Sequence, residues 1–300
     1  QTGLAEITVG LTTPDGTQIT RDISIPVQVN DPVVAETSRL TLSPGQTFTL
    51  DANAYAGFRP ETANVTLSAG PLARFDAAGL LQRLDRYPYG CTEQLTSRAL
   101  PLLYLSSVAE IMDLGTADDL NTRIADAIAS VLNNQSANGG FGLWRAASGD
   151  LWLDAYVTDF LSRARAEGHE VPDIPLQSAL DNLANAVASH PDFEDGGQGL
   201  AYALMVLARE GQASMCDLRY YADVKAQDFA TPLALGQLGA ALAMYGDQPR
   251  ADAMFVAGFA RLTLPSTNSD RRVWRADYGS FRRDGAGLVA LAAADRRRFG

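Results

Sequence analysis

The apolar residues of this chain change their spacing once, near residue 70, and that change limits the possible folds more than any other feature. Before it, "AEITVGL" and "DISIPVQV" alternate apolar and polar residues, and the "TPDGTQ" between them has the proline and glycine of a tight connection. This predicts a β-hairpin. "SRLTLSPGQTFTL" and "TANVTLSAG" repeat the alternation with Pro-Gly punctuation, so residues 1 to about 70 are expected to form antiparallel β structure, a sandwich or part of one. From Phe75 onward the period becomes helical. "DAAGLLQRLDRY", "ADDLNTRIADAIASVLNN", "GDLWLDAYVTDFLSRARAEG", "PLQSALDNLANAVASH", "GQGLAYALMVLAREG", "TPLALGQLGAALAMYG" and "PRADAMFVAGFARL" carry apolar residues at i, i+3, i+4 and i+7.

The joints between the helical stretches share a character. "NGGFGLW", "EDGGQGL" and "ADYGSFRRDGAGL" each place glycines and an aromatic or acidic residue before an alanine-rich helix, at irregular intervals. Stacked helix pairs would need such joints, either closed into an α/α ring or run out as a solenoid, and the spacing alone fits both. A chain of 300 residues that is 46% hydrophobic can bury more than one core, so two units are expected.

Charge and cysteine content narrow the partners. A net charge of -11 argues against nucleic acid or an anionic membrane surface. The exception is Asp270 to Gly300, with eight arginines against four aspartates, which reads as a solvated helix face. No window reaches the roughly 18 continuous apolar residues of a membrane span. The chain opens at Gln1 without a methionine, as a piece of a longer protein would. Two cysteines do not make a disulfide framework.

One of those cysteines stands in "YPYGCTEQLTSRALPLLYL", directly after a Pro-Tyr-Gly turn and where a helix should begin. Thr92 and Glu93 suit a first helical turn, and Cys91 and Gln94, three apart, lie on one face. A thiolate at a helix N-terminus is a better nucleophile for its lowered pKa. Attack of the Cys91 sulfur on the Gln94 side-chain amide carbon, with loss of ammonia, would give an internal thioester. An amine from another protein could then attack the same carbon, leaving an amide at Gln94 and a free thiol at Cys91.

"CTEQ" fits the Cys-x-Glu-Gln pattern of thioester proteins, and the segment from Tyr87 to Leu105 closely resembles that of the bacterial alpha-2-macroglobulin family. The resemblance extends over nearly the whole chain, through "LSPGQTFTLDA", "ANVTLSAGPLARFDAAGLLQRLDRYPYG", "GGFGLW", "WLDAYVTDFL" and "DYGSFRRDGAGLVALAA". It implies a stoichiometric covalent trap for proteases, not an enzyme, with no cofactor and no metal. In that scheme a protease cuts a bait segment, the thioester is uncovered, and surface lysines of the protease are captured. Cys91 and Gln94 would be the cross-linking pair, and Tyr87 or Tyr89, with Tyr87 favoured, would shield the bond from water.

The resemblance also implies a domain layout. Residues 1–70 would be the end of one macroglobulin-like sandwich and the first part of a CUB-like domain, and residues 71–300 an α/α-toroid thioester domain truncated at its C-terminus, with the bait upstream of Gln1. It further implies a periplasmic or inner-membrane-anchored location in a bacterium, the anchor lying outside this stretch, with a peptidoglycan-synthesis partner there.

Related complement proteins use a histidine to pass the acyl group on to hydroxyls. His190 lies at a comparable distance after Cys91, but "ASHPDFEDGG" does not otherwise match, so direct aminolysis with a preference for lysine is expected. Cys216 reads as a plain buried or half-buried thiol, and a Cys91–Cys216 disulfide would exclude the thioester. An α/α-barrel enzyme of the terpene cyclase or prenyltransferase type shares the glycine-aromatic joints. It would need an acidic cluster or a zinc site, and the sequence has no DxDD, while Cys216, Asp217, His169 and His190 make a poor zinc set. A scaffold module without a working thioester is the remaining alternative.

Overall fold

The computed structural model describes residues 3–27, 34, 36–38, 40–59, 62–63, 65, 67, 69, 79–81, 84, 90–111, 115–189, 193, 196–263 and 277–299. The chain divides into two compact units, Gln1–Phe75 and Asp76–Gly300.

The first unit contains the expected hairpin. Strands β1 (Gly3–Thr12) and β2 (Gln18–Val27) pair antiparallel, from Gly3 opposite Val27 to Thr12 opposite Gln18. The turn is closed by Thr13 N donating to the Thr17 carbonyl at 2.9 Å, and Gly16 supplies a φ of 86°, which a side chain would disfavour. Alternation did not produce strands everywhere. Residues 40–50 have a turn in which Gln46 N donates to the Ser43 carbonyl at 3.0 Å, and no strand, and a short 3-10 helix follows at Ala52–Tyr55. An alternating segment becomes a strand only when another backbone completes its ladder, and none of the described residues does so here. The expected strand at 62–70 lies largely outside the described residues.

The second unit is mainly helical. Ten helices are described: α1 (Thr92–Ala99), α2 (Leu102–Ile111), α3 (Ala117–Asn133), α4 (Leu151–Ala166), α5 (Asp173–Ser189), α6 (Gln198–Arg209), α7 (Met215–Asp223), α8 (Pro232–Met244), α9 (Gln248–Thr263) and α10 (Phe281–Phe299). Local capping residues start the helices. Thr116 and Asp119 form a reciprocal capping box on α3, and Thr231 caps α8 with Pro232 in its first turn.

Packing separates two layers. Helices α1, α4, α6, α8 and α10 contact one another in succession, and α3, α5, α7 and α9 lie against them from outside, the paired-helix arrangement of an α/α toroid. Burial follows the layers. Outer α5 buries a single stripe, Leu176, Ala179, Leu180, Leu183 and Val187, whereas inner α6 is buried all round from Gln198 to Ala208. Small residues let the inner helices approach closely: a Cβ on Gly199 would stand 3.0 Å from Trp152 N, at the start of α4.

Asp159 pairs buried polar groups of two inner helices. Asp159 on α4 accepts hydrogen bonds from Tyr202 Oη of α6 at 2.8 Å and from Arg163 Nε at 3.0 Å, and forms an ion pair with Arg209. The glycine-aromatic joints are the entries to inner helices: 139–149 leads into α4, 196–197 into α6 and 277–280 into α10.

Candidate functional site

Cys91 is the N-cap residue of α1. Its backbone is extended, with φ -70° and ψ 159°, its side chain makes no capping hydrogen bond, and it is 7% exposed. Gln94 is the third residue of the helix. These are the two positions whose side chains meet in a capping box, where an N-cap oxygen and the residue at the third position reach toward each other. Here the pair is a thiol and a carboxamide. The Gln94 Oε1 is buried and has no hydrogen-bond partner among the described residues. The N–H groups in the first turn of a helix have no intrahelical acceptor and favour negative charge, including that of a thiolate.

The turn before the helix is anchored from outside. Thr92 is fully buried; its N–H donates to the Leu143 carbonyl at 2.8 Å, and its hydroxyl donates to the Gly142 carbonyl at 2.6 Å and accepts from Asn134 Nδ2 at 2.8 Å. Both carbonyls belong to the loop 139–143 that leads from α3 toward α4. That loop is itself held: Asp154 of α4 accepts from Phe141 N at 2.6 Å and from Asn182 Nδ2 of α5 at 2.9 Å, while Gly142 N donates to the Asn134 carbonyl at 3.1 Å. Glycine is required at 142, where a Cβ would overlap the Arg145 carbonyl oxygen. Burial pushes the Asp154 carboxyl up to about 6, partly offset by its bonds from Phe141 and Asn182, with the Asp150 charge adding to the rise.

A second group surrounds the same helix end. Ser97 donates to Glu93 Oε1 at 2.7 Å and lies 3.0 Å from the Tyr156 hydroxyl. Tyr156 stacks on Trp152 with centroids 5.0 Å apart, and Trp152 meets Tyr278 at 5.3 Å, with the Arg283 guanidinium 5.8 Å from the Trp152 ring centroid. Tyr278 has a φ of 50°, a left-handed conformation that a non-glycine residue rarely adopts. Its hydroxyl donates to Asp150 Oδ2 at 3.4 Å, and Asp150 also caps α4 through Leu153 N at 3.0 Å. Burial, then the charge of Asp150 and the bond to it, and then the charges of Glu93 and Cys91, raise the Tyr278 pKa. Burial pushes the Tyr156 phenol up to about 12.

The two residues expected to react, Cys91 and Gln94, thus share one helical turn. Tyr87, Tyr89 and His190 lie outside the described residues, and His169 sits half-buried in the turn after α4. Cys216 corrects an expectation, for it is an exposed free thiol. Helix α7 buries Leu218, Tyr221 and Ala222, and a residue two positions before Leu218 points about 200° away from that face, into solvent. Cys91 is also free. Asn134, Asp154, Asp150 and Tyr278 were not singled out from sequence, and Thr92 was read only as a helix-start residue. The signals available were the glycine joints themselves, which name a loop but not its partners.

The family model of the A-macroglobulin TED domain matches residues 66–205. The chain is similar to the alpha-2-macroglobulin of Escherichia coli strain K12, 33% identical over 265 residues that make up 83% of this chain and 16% of that one. It therefore spans about a sixth of the length of that relative. The cryo-EM structure of native E. coli alpha-2-macroglobulin superimposes with a TM-score of 0.74 at 29% identity, over 99% of this chain and 19% of that one. A Salmonella alpha-2-macroglobulin reacted with methylamine matches with a TM-score of 0.72 at 27% identity, over 99% and 20%. E. coli alpha-2-macroglobulin activated by porcine elastase matches with a TM-score of 0.61 at 26% identity, over 99% and 28%.

Proposed function

Because the chain belongs to the bacterial alpha-2-macroglobulin family, a family of protease-trapping inhibitors, we propose that it carries the reactive centre of a covalent trap, an internal thioester between Cys91 and Gln94. The observation that carries this reading is the occupation of the two capping-box positions by Cys91 and Gln94, with the Gln94 Oε1 buried and unpaired among the described residues. In closure the Cys91 Sγ bonds to the Gln94 side-chain carbon, the C–N bond breaks, and the nitrogen leaves as ammonia with the thiol proton. The helix turn has already fixed both groups, so the step is unimolecular and its orientational entropy is largely met by folding. The carbonyl oxygen stays on Gln94, in the place where an unpaired acceptor is observed.

Opening runs through an amine. A lysine amine of the target protease attacks the acyl carbon, the C–S bond breaks, and one proton passes from nitrogen to sulfur. The α1 N-terminus favours the departing thiolate. Reaction of a structural neighbour with methylamine and activation of another by elastase support amines and proteases as the reactants. In the whole protein, bait cleavage elsewhere would uncover the bond, with Tyr87 and Tyr89 as its local shield, in the periplasm or anchored to the inner membrane.

Intact mass spectrometry of the unreduced protein tests this directly. A mass one ammonia below that of the sequence, with no alkylatable thiol at Cys91, is expected. Full sequence mass with a reactive Cys91 refutes the reading.

A further inference from the structure

The turn that holds Cys91 does not depend on α1 alone. Its backbone is fixed through Thr92, and both carbonyls that fix Thr92 come from the loop 139–143. One end of that loop is tied to Asn134 at the close of α3. The other is tied to the buried Asp154, whose Oδ1 takes Phe141 N and whose Oδ2 takes Asn182 Nδ2. Phe141 is 1% exposed, and a Cβ on Gly140 would stand 2.7 Å from Ser148 Cβ and 3.1 Å from Asp154 Oδ2, so the loop is closely packed at both residues.

We propose that Asp154 is a positioning residue for the acyl chemistry of Cys91 and Gln94, acting through Phe141, the loop 139–143 and Thr92. The inference rests on the thioester reading above. A carboxylate is 4% exposed on a helix whose neighbouring positions are apolar, and an ordinary packing residue there would avoid the desolvation. What the acid obtains is two fixed hydrogen bonds from separate elements, one of them to the backbone of the loop that grips the reactive turn. Thioester closure requires sulfur and amide carbon to approach within near-attack distance, and a displacement of about 1 Å far from the chemistry can cost on the order of 100-fold in such a step.

The test measures, in the full-length protein, the fraction of molecules one ammonia light, alongside thermal unfolding. Asp154→Ala is expected to lower that fraction by about tenfold or more, on the scale of a misplaced reacting pair. Asp154→Asn keeps an acceptor for Phe141 N, and its amide nitrogen can donate to Asn182 once that side chain turns its oxygen inward, so it is expected to restore the fraction to within about twofold of the parent. Asn182→Ala, which removes one of the two ties and leaves the acid in place, should fall between them and provides the measurement if Asp154→Ala does not fold. A folded Asp154→Ala or Asn182→Ala protein with the parent fraction overturns the proposal, and so does Asp154→Asn as deficient as Asp154→Ala. A parent protein at full sequence mass refutes the thioester reading itself, and the inference with it.

Discussion

Replacing Asp154 by asparagine should change how the stability of the chain depends on pH, with a size and sign that follow from its surroundings. In the folded chain the carboxyl titrates at about 6, against an ordinary value of 3.8, because burial disfavours its charged form more than Phe141 N and Asn182 favour it. The difference is about 2 pK units, or about 3 kcal/mol of free energy at about 1.4 kcal/mol per unit. Between pH 4 and 6 the folded chain holds a proton here that the unfolded chain has lost, so this group's contribution is fully present below pH 4 and is lost as pH rises through 6. Asparagine has no such proton. Urea unfolding of parent and Asp154→Asn chains from pH 4 to 7 should therefore give stability curves whose difference changes by about 3 kcal/mol, with the parent losing ground as pH rises. Carboxylates with lowered pKa, such as Asp119 and Asp247, slope the other way but cancel in the comparison. Parallel curves would refute a buried, ionisable Asp154.

Phe160 is fully buried, and Phe160→Ala should cost about 3–5 kcal/mol of stability, read as a fall in the urea midpoint with little change in slope. Gly142→Ala should break the loop that holds Thr92 and suppress thioester formation by intact mass more than it lowers the melting temperature, since the added Cβ meets the Arg145 carbonyl and stands 2.8 Å from Ala147 Cβ. Full-length protein with Cys91→Ser should release no thiol at this position on treatment with methylamine and form no denaturation-resistant conjugate with a protease. Cys216, exposed and free, should be alkylated by iodoacetamide in the native chain, whereas Cys91 should react only after methylamine treatment.

Most of the helical layer was legible because burial on one face leaves a 3.6-residue period, and the outer helices carry it plainly, as the Leu176 to Val187 stripe of α5 shows. Helix α7 was harder to find: nine residues with three buried side chains leave too little periodicity to read. Residues 40–50 misled for the opposite reason, since their alternation is strand-like but a strand is made by its neighbour. The candidate pair, Cys91 and Gln94, could be named because the proposed chemistry needs only one helical turn, so residues three apart contain it. The clamp on that turn was not. Asn134, Gly142 and Asp154 come from three separate elements, and nothing local distinguishes the Asp154 of "WLDAYVTDF" from an acid on a solvated face.

The contact between Tyr278 and Asp150 joins residues 128 apart in sequence, and that distance bears on the order of folding. Successive helices of the inner layer touch partners that follow after one outer helix, or after α2 and α3 in the step from α1 to α4, so each contact closes a short loop of chain. A helical array of this kind can grow by local additions, each stabilised by the helix before it. The meeting of Tyr278 with Asp150 and Trp152 cannot form that way; it needs the entry to α10 to arrive at the entry to α4, after the intervening helices are in place. The surroundings of Cys91 are therefore completed by a contact that spans 128 residues, and the cysteine, though early in the chain, gains its full setting late.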